Sequence, residues 1–315
     1  MMSSMGNLIF SQDVLNSQPY STPLMINPAL MNLNDDFNVT LNYRNQWGIL
    51  SKGYTTSTLS VMYPIFLNDG KQKLDLGLNI RNNVFGAFNN LNLNLALAYG
   101  LKISKSSSLS LALSGSYMQQ SLNVNGLTFD DQYVLGTYSS GNPTNQAIVN
   151  KKYSYPDVNT GLIWNIRPEE SNISAYAGLS VFHLTQPKAT FTSQNGVIFR
   201  RVSSQAGIKI TGENKIDITP NVIVSSQGVV QRFATGVYLD YRANDDLKLT
   251  FGSWYRKNSA IAFVVKLNYK VFQFGYSYDM PYSNMGNTIN GLNTHEISLS
   301  YKLNKNKGVK LPSLL

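Results

Sequence analysis

Regular alternation of apolar and polar residues is the feature that most constrains the fold of this chain. Between residues 37 and 47 every second residue is apolar as far as Tyr43, and the stretch reads FNVTLNYRNQW. Because successive side chains of a β-strand point to opposite faces, this pattern predicts a strand with one apolar and one polar face. Such alternation over about 9–11 residues is the length that a tilted strand needs to cross a bilayer, whereas strands of soluble proteins usually have about 5–6.

The same alternation recurs along the chain, for example in KLDLGLNI (73–80) and HEISLSYKL (295–303). An even number of antiparallel strands can close into a membrane barrel with both chain ends on one side. We therefore predict an all-β fold, a transmembrane antiparallel β-barrel of fourteen strands. The predicted strands are 37–47, 55–66, 73–84, 89–104, 107–120, 156–166, 172–184, 199–211, 217–228, 232–242, 247–256, 259–267, 270–279 and 293–303.

A closed barrel suits lipid because it pairs every backbone N–H and C=O internally and leaves no open edge. No run of about 18 apolar residues is present, so the sequence predicts no membrane-spanning helix. In the fourth strand the alternation assigns one set of residues to lipid (Leu93, Leu95, Leu97) and the other to the lumen (Asn92, Asn94, Ala96).

Loop lengths predict the orientation of the barrel. Connections after even-numbered strands are short, whereas 121–155 is the longest connection, followed by 185–198 and 280–292. Outer-membrane barrels have short periplasmic turns and longer external loops, so both termini are expected in the periplasm. The predicted segments are a signal-peptide remnant (1–11), a periplasmic N-terminal segment (12–36), the barrel (37–303) and a periplasmic tail (304–315).

The N-terminal segment contains PYSTPLMINPAL (19–30), which has three prolines and a row of large apolar residues. This composition is unusual for a plain linker. We expect the segment to lie in the periplasmic mouth and close the lumen, which argues against an open porin.

Charge and residue content argue against several function classes. The net charge of +9 is spread thinly and forms no dense basic patch of the kind that binds nucleic acid. The chain has no cysteine and only two histidines, His183 and His295, too few for a zinc site. The Asp pairs at 130–131 and 245–246 lack the spacing of a calcium loop. We predict no catalytic residues, metal or cofactor, and a hydrolase with a Ser–His pair stays an alternative.

Seven stretches, in order along nearly the whole chain, resemble the PorP/SprF family of outer-membrane proteins associated with the type IX secretion system of Bacteroidota. They are INPAL (26–30), YRNQW (43–47), LGLNIRNNVFGAFNN (76–90), GLTFDDQY (126–133), AGLSVFHLTQP (177–187), GYSYD (275–279) and HEISLSYKL (295–303). The motif residues that we single out in them are Asn27, Pro28, Trp47, His183, Gln186, Pro187, Asp279 and His295.

The resemblance implies a function that the alternation alone does not. Some family members pair with a surface adhesin or another cargo protein that carries a type B C-terminal sorting domain, and they support its export or its anchoring at the cell surface. The expected partners are such a cargo, other type IX components and outer-membrane lipid. The main alternative is a porin or a channel for hydrophobic solutes similar to the fatty-acid transporters.

We expect the cargo to contact the external loops. Tyrosine offers a large contact area with few rotors and a hydroxyl group, and it is enriched in binding hot spots. The alternative is that these tyrosines only pack the loops onto the barrel mouth. The tyrosines assigned to the loops are Tyr133, Tyr138, Tyr153, Tyr155 and Tyr282.

The first and last strands must pair to close the barrel. In an antiparallel pair the positions of opposed residues have a constant sum. If Phe37 lies opposite Leu303, then Arg44 lies opposite Glu296 and both point into the lumen. The alternative is that these are two unrelated lumen charges.

Overall fold

The chain forms a closed antiparallel β-barrel in a computed structural model. No helix in the described part of the chain is long and apolar enough to cross a membrane. Short 3-10 turns occur at Pro19–Ser21, Pro23–Met25, Pro28–Leu33 and Asp130–Gln132. The residues that the structure describes are 13, 16–48, 53–68, 71–123, 129–134, 136–139, 141–142, 151–168, 170–188, 196–282 and 293–304.

Each barrel strand pairs with its neighbours in chain order, and β1 closes the barrel on β16. The barrel strands are β1 (Asp36–Gln46), β2 (Tyr54–Leu67), β3 (Gln72–Phe85), β4 (Phe88–Lys102), β5 (Ser107–Leu122), β8 (Lys152–Ile166), β9 (Ile173–Phe182), β10 (Arg201–Thr211), β11 (Ile216–Gln227), β12 (Val230–Arg242), β13 (Leu247–Arg256), β14 (Ala260–Tyr269), β15 (Phe272–Pro281) and β16 (Thr294–Asn304).

The predicted fold class is confirmed, and each of the fourteen predicted segments overlaps one barrel strand. A small hairpin, β6 (Tyr133–Val134) and β7 (Thr137–Tyr138), lies outside the barrel sheet and was not predicted. Its strands have two residues each, which is too short to show alternation.

The two ends of the barrel differ in their connections. The three longest, 123–151, 183–200 and 282–293, all leave the same end, which we call the loop end. At the opposite end, which we call the turn end, the connections are short, and residues 270–271 alone join β14 to β15. This difference agrees with the loop lengths read from the sequence.

The β1–β16 seam has the register predicted from the sequence. Phe37 is paired with Leu303, and Arg44 is paired with Glu296. Arg44 and Glu296 are both buried inside the barrel, because they occupy the inward positions of the alternation.

The wall alternates as predicted between an apolar outer face and an inner face of polar or small residues. In β4, Leu95 and Leu97 are exposed on the outside, whereas Asn94 and Ala96 are buried inside. Asn94 donates hydrogen bonds to Ser116 (3.0 Å) and to Ser114 of the neighbouring strand. Outward leucines therefore form the surface that lipid can cover.

Placing an arginine on the middle of this outer face should destabilise the barrel. A cation at the bilayer midplane of a barrel costs about 2–4 kcal/mol, whereas near the interface it costs about 0–1 kcal/mol. Leu95 is 66% exposed in mid-strand, and Ile103, at the turn end, is similarly exposed at 61%. We expect Leu95→Arg to lower the free energy of unfolding in lipid vesicles by the larger amount and Ile103→Arg by the smaller. Equal losses would mean that depth in the membrane does not separate these positions.

Candidate functional site in the plugged lumen

The N-terminal segment runs through the lumen from the loop end to the turn end. Ser17 donates its backbone N–H to Glu296 near the loop end of β16, at 2.6 Å. Asn32 donates to Asp75 near the turn end of β3, at 3.0 Å. We call residues 16–34 the plug. The expectation of a segment confined to one mouth is wrong, because the plug extends along the depth of the barrel.

Asn27 fixes the middle of the plug to the wall. Its side-chain amide donates to the carbonyl oxygens of Leu162 (3.1 Å) and Leu179 (3.0 Å), which lie opposite each other on β8 and β9. This approach requires the inward-facing Gly161, because a Cβ at that position would overlap Asn27 Oδ1. The INPAL motif therefore has a structural role that its sequence alone does not reveal.

The residues after Asn27 form the apolar core of the plug. Asn27 Oδ1 accepts a hydrogen bond from the N–H of Ala29 (2.8 Å) and caps the turn Pro28–Leu33, whose first position Pro28 occupies. Proline suits this position because its fixed φ matches the turn and its missing N–H has no partner there. The buried apolar cluster consists of Leu24, Ala29, Leu30, Met31 and Leu33 of the plug with Met62, Ala96, Ala98, Ala112, Ile163 and Tyr176 of the wall.

A second apolar cluster fills the other side of the lumen around Trp254. Tyr20 of the plug packs against Trp254, with 5.8 Å between the ring centroids, and its hydroxyl is hydrogen-bonded to that of Tyr176 at 2.5 Å. Three cavities beside the plug have volumes of about 20, 30 and 50 Å³. Cavities of this size hold a few water molecules at most, so the plug leaves little free volume here.

Glu296 joins the seam to the plug. It is fully buried and accepts hydrogen bonds from the backbone N–H groups of Ser17 (2.6 Å) and Gln18 (3.2 Å) and from Asn42 (2.9 Å). Its counter-charge is Arg44, whose Nε lies 3.6 Å from Oε2. The predicted seam pair is therefore also an anchor for the plug.

Asp279 extends this network along the loop end of the lumen. Its Oδ2 accepts hydrogen bonds from Ser17 Oγ (2.6 Å) and Arg256 (2.5 Å), and Arg44 Nη2 lies 3.6 Å away. Two arginines and two carboxylates thus share one buried site. The sequence pointed to Arg44, Glu296 and Asp279 but gave no sign of Ser17, because the plug shows no periodic pattern.

A second charged cluster at the loop end holds the chain just before the plug. His183 Nδ1 lies 2.5 Å from Asp157 Oδ2, and His183 Nε2 lies 3.2 Å from Asp13 Oδ2. Arg201 Nε is also 3.2 Å from Asp13 Oδ2. This arrangement argues against a Ser–His hydrolase pair at His183, because both ring nitrogens already face carboxylates.

The cluster favours a charged imidazole. Burial opposes protonation of His183, but the carboxylates of Asp13 and Asp157 outweigh it and raise the pKa of His183 to about 9. Burial alone would also raise the pKa of Asp13, yet Arg201 and His183 hold that pKa well below its usual range. The N-terminal chain is therefore held at the loop end by ion pairs.

This shift gives the stability of the cluster a defined pH dependence. Because the folded pKa of His183 lies above its ordinary value of 6.5, its contribution is complete below about pH 6.5 and is lost as the pH rises through about 9. We expect His183→Gln to lower the melting temperature in detergent at low pH and to have little effect above about pH 9. The exposed His295→Gln should show no such pH-dependent difference. A constant difference for His183→Gln would contradict a charged imidazole.

Three motif residues lie in tight turns at the loop end. Trp47, His183 and Gln186 all have positive φ angles, of 59°, 58° and 45°. Gln186 donates its N–H to the carbonyl of His183 (3.1 Å), and the carbonyl of Pro187 accepts from Ile198 (3.0 Å), so the HLTQP motif builds the turn that ends β9. Such conformations are uncommon for residues other than glycine.

The other histidine belongs to a different environment. His295 is exposed on the outer face, where its Nδ1 is 2.8 Å from the hydroxyl of Tyr276 and its ring lies 5.3 Å from that of Tyr278. Tyrosine and histidine at this level form a patch of the aromatic girdle common in membrane barrels. The structure does not bring the two histidines together, because one faces the lumen and the other faces outward.

The tyrosines expected in the external loops fall into different classes. Tyr133 is exposed on the β6–β7 hairpin, and Tyr282 is partly exposed beside β15 while donating its hydroxyl proton to the carbonyl of Arg256 (2.7 Å). The Tyr138 side chain lies outside the described residues. The assignment of Tyr155 to an exposed loop is wrong, since it is 5% exposed and lies within β8. Tyr153 also lies in β8, partly buried and hydrogen-bonded to Gln120.

No metal site is evident in the part of the chain that the structure describes, where no group of three or more His, Asp and Glu side chains is arranged to hold an ion. Asp130 and Asp131 lie in the 3-10 turn Asp130–Gln132. Asp246 follows β12, and its carbonyl accepts a hydrogen bond from the N–H of Lys270 (2.8 Å). Both Asp pairs therefore lie in turns.

Comparison with known proteins decides the family. Residues 9–301 match the family described as type IX secretion system membrane protein PorP/SprF. The chain belongs to the PorP/SprF family. The family relationship predicted from the seven sequence stretches is therefore confirmed, and so is membership of a secretion-system membrane barrel family. No curated protein sequence matches the chain.

This PorP/SprF protein is also similar in structure to solved proteins with which it shares little sequence identity. The toluene transporter TodX of Pseudomonas putida has a TM-score of 0.57 at 10% identity, with 94% of this chain and 95% of TodX covered. A FadL homologue of Pseudomonas aeruginosa has a TM-score of 0.58 at 10% identity, with 94% and 100% covered. CymD, a monoaromatic hydrocarbon channel, has a TM-score of 0.55 at 12% identity, with 92% and 93% covered. At these identities the likeness establishes the fold alone.

Proposed function

We propose that this PorP/SprF barrel binds a secreted cargo protein at its loop end and supports the export of that protein or its anchoring at the cell surface. The cargo would carry a type B C-terminal sorting domain. In this proposal the loop end faces outward and the end of β16 faces the periplasm. The expectation of a periplasmic N-terminal segment does not hold for Asp13, the first described residue, because its contacts with His183 and Arg201 place it at the loop end. The plug is the observation that carries the proposal, because a lumen filled along its depth suits a binding scaffold better than an open channel.

The loop end offers the contact surface that such a partner needs. The longest connection carries the β6–β7 hairpin, on which Tyr133 is 53% exposed. At the same end, the turns after β1 and β9 hold Trp47, His183 and Gln186 at positive φ angles. Tyrosine is enriched among the side chains that anchor protein interfaces.

Shortening the 123–151 connection tests the proposal. We expect the barrel to insert and to remain heat-modifiable on a gel, since its strands and plug are intact, while cargo moves from the cell surface to the medium. A variant shortened in the 282–293 connection shows whether a second loop at this end shares the anchoring. Cargo that stays on the cell after the 123–151 connection is shortened would show that this loop is not the anchor.

The channel alternative makes the opposite demand on the lumen. It requires an open path past the plug. The likeness to TodX and CymD concerns the fold alone and is no evidence of such a path in this chain. Ion conductance of the wild-type barrel in a planar bilayer would favour transport over cargo binding. A closed wild-type barrel would favour binding.

A further inference from the structure

A basic cavity lies beside the plug toward the turn end of the lumen. It has a volume of about 50 Å³ and is enclosed by strands β10–β15 and by Tyr20 of the plug. Three lysines and one aspartate contribute to its lining, a net charge of +2 when all four are ionised. The lining residues are Tyr20, Lys209, Thr219, Asn221, Tyr238, Asp240, Lys248, Thr250, Lys266 and Gln273.

The carboxylates near this cavity are already paired. Asp240 lies 3.3 Å from Lys248 Nζ and also accepts a hydrogen bond from Thr250 (2.5 Å). Asp217 lies 3.7 Å from Lys209 Nζ and 3.0 Å from the guanidinium of Arg242. These two carboxylates thus already form ion pairs with three other basic side chains, Lys209, Arg242 and Lys248.

Lys266 is buried without a counter-charge. It is only 8% exposed, and its ammonium has no hydrogen-bond acceptor or ion-pair partner among the residues that the structure describes. Its Nζ lies 5.3 Å from the centre of the Tyr238 ring, a contact that offsets little of the cost of removing an ammonium from water. Lys302 of β16 faces the same part of the lumen and adds further positive charge.

We propose that this cavity binds a small oxyanion, a phosphate or a carboxylate, through Lys266. The anion would supply the missing counter-charge in a cavity large enough for a group the size of a few water molecules. The hydroxyl of Tyr238 accepts a hydrogen bond from Trp254 and keeps its own proton for an anion. The Tyr20 hydroxyl is hydrogen-bonded to Tyr176, whose own proton goes to Asn221 Oδ1. The Lys266 ammonium and the Tyr238 O–H group then converge on one small site.

This site is separate from the cargo surface in both place and chemistry. The cavity lies at the turn end, whereas the proposed cargo surface is at the loop end. Its ligand would therefore come from the compartment that the turn end faces. Because Tyr20 belongs to the plug, bound anion would also add a contact between the plug and the wall.

Anion-dependent stability of the full-length barrel in detergent tests the proposal. We expect sodium phosphate or sodium acetate to raise the melting temperature of the wild type above its value in sodium chloride of equal ionic strength. A response to phosphate alone assigns the site to phosphoryl groups, and a response to acetate alone assigns it to carboxylates. Lys257→Met, which removes an exposed lysine at the loop end, should keep the whole response.

Lys266→Met should abolish the response and weaken anion binding in calorimetric titration by about 10–100-fold, since a hydrogen bond to a charged group is lost. Without added anion this variant should melt no lower than the wild type, because an uncompensated buried charge has been removed. If it does not fold, Lys266→Gln provides the same test with a neutral polar side chain. An unchanged response in these variants, or no anion-specific response in the wild type, would overturn the proposal.

Discussion

Replacing Arg44 by alanine is expected to lower the free energy of unfolding of the barrel by about 3–5 kcal/mol, the usual cost of breaking a buried ion pair from one side. The change leaves Glu296 fully buried without its counter-charge. Arg256 still pairs with Asp279, so the neighbouring carboxylate is protected. Denaturant titration of the barrel in micelles measures the loss.

A double-mutant cycle separates this pairing from two independent losses. Glu296→Ala should also destabilise the barrel, because it removes the acceptor of the Ser17 and Gln18 N–H groups. Since residues in one buried network are coupled, Arg44→Ala with Glu296→Ala should lose less than the sum of the single changes. Losses that simply add would show that the seam pair carries no joint stabilisation.

Displacing the plug is expected to convert a closed barrel into a conducting one. Gly161→Leu places a side chain where Asn27 Oδ1 and Pro28 now lie, so the middle of the plug can no longer reach β8 and β9. Fourteen strands enclose a lumen wider than the filled interior of an eight-stranded barrel, so an emptied lumen should admit water and ions.

Planar-bilayer recordings measure this opening, and the chain offers a matched control. Gly115 faces outward, and no atom lies within 4 Å of the position that a Cβ would take there. Gly115→Leu therefore adds the same side chain without touching the plug. We expect Gly161→Leu to conduct and Gly115→Leu to stay closed. Asn27→Ala, a milder change that removes both wall hydrogen bonds, should open the barrel intermittently. Closed recordings from Gly161→Leu in correctly folded protein would show that the plug does not seal the lumen.

Alternation carried most of the fold prediction, because it records directly which face of a strand meets lipid. It predicted fourteen strands within a few residues and, with the constant-sum rule, the register of Arg44 and Glu296. The rule works at the seam because one known pair of opposed residues determines every other pair between two antiparallel strands. Loop lengths likewise predicted that the longest connections share one end of the barrel.

The plug contacts could not be predicted in the same way. Ser17 and Glu296 are in contact although they are 279 residues apart in the sequence. The 3-10 turns between Ser17 and β1 have no regular period that would indicate which strand they contact. Tyr155 was misplaced for a different reason. The predicted strand began at Pro156, which left Tyr155 in the preceding loop, but pairing with β5 continues to Lys152.

Site-specific photo-crosslinking on intact cells tests the central claim, cargo binding at the loop end, most directly. A photo-reactive amino acid at Tyr133 samples the exposed hairpin, and one at Lys105 samples an exposed turn at the opposite end. We expect Tyr133 to crosslink to a secreted protein with a C-terminal sorting domain and Lys105 to give no such product. Crosslinks to that protein from Lys105 alone, or from neither position while cargo is present on the cell, would contradict cargo binding at the loop end.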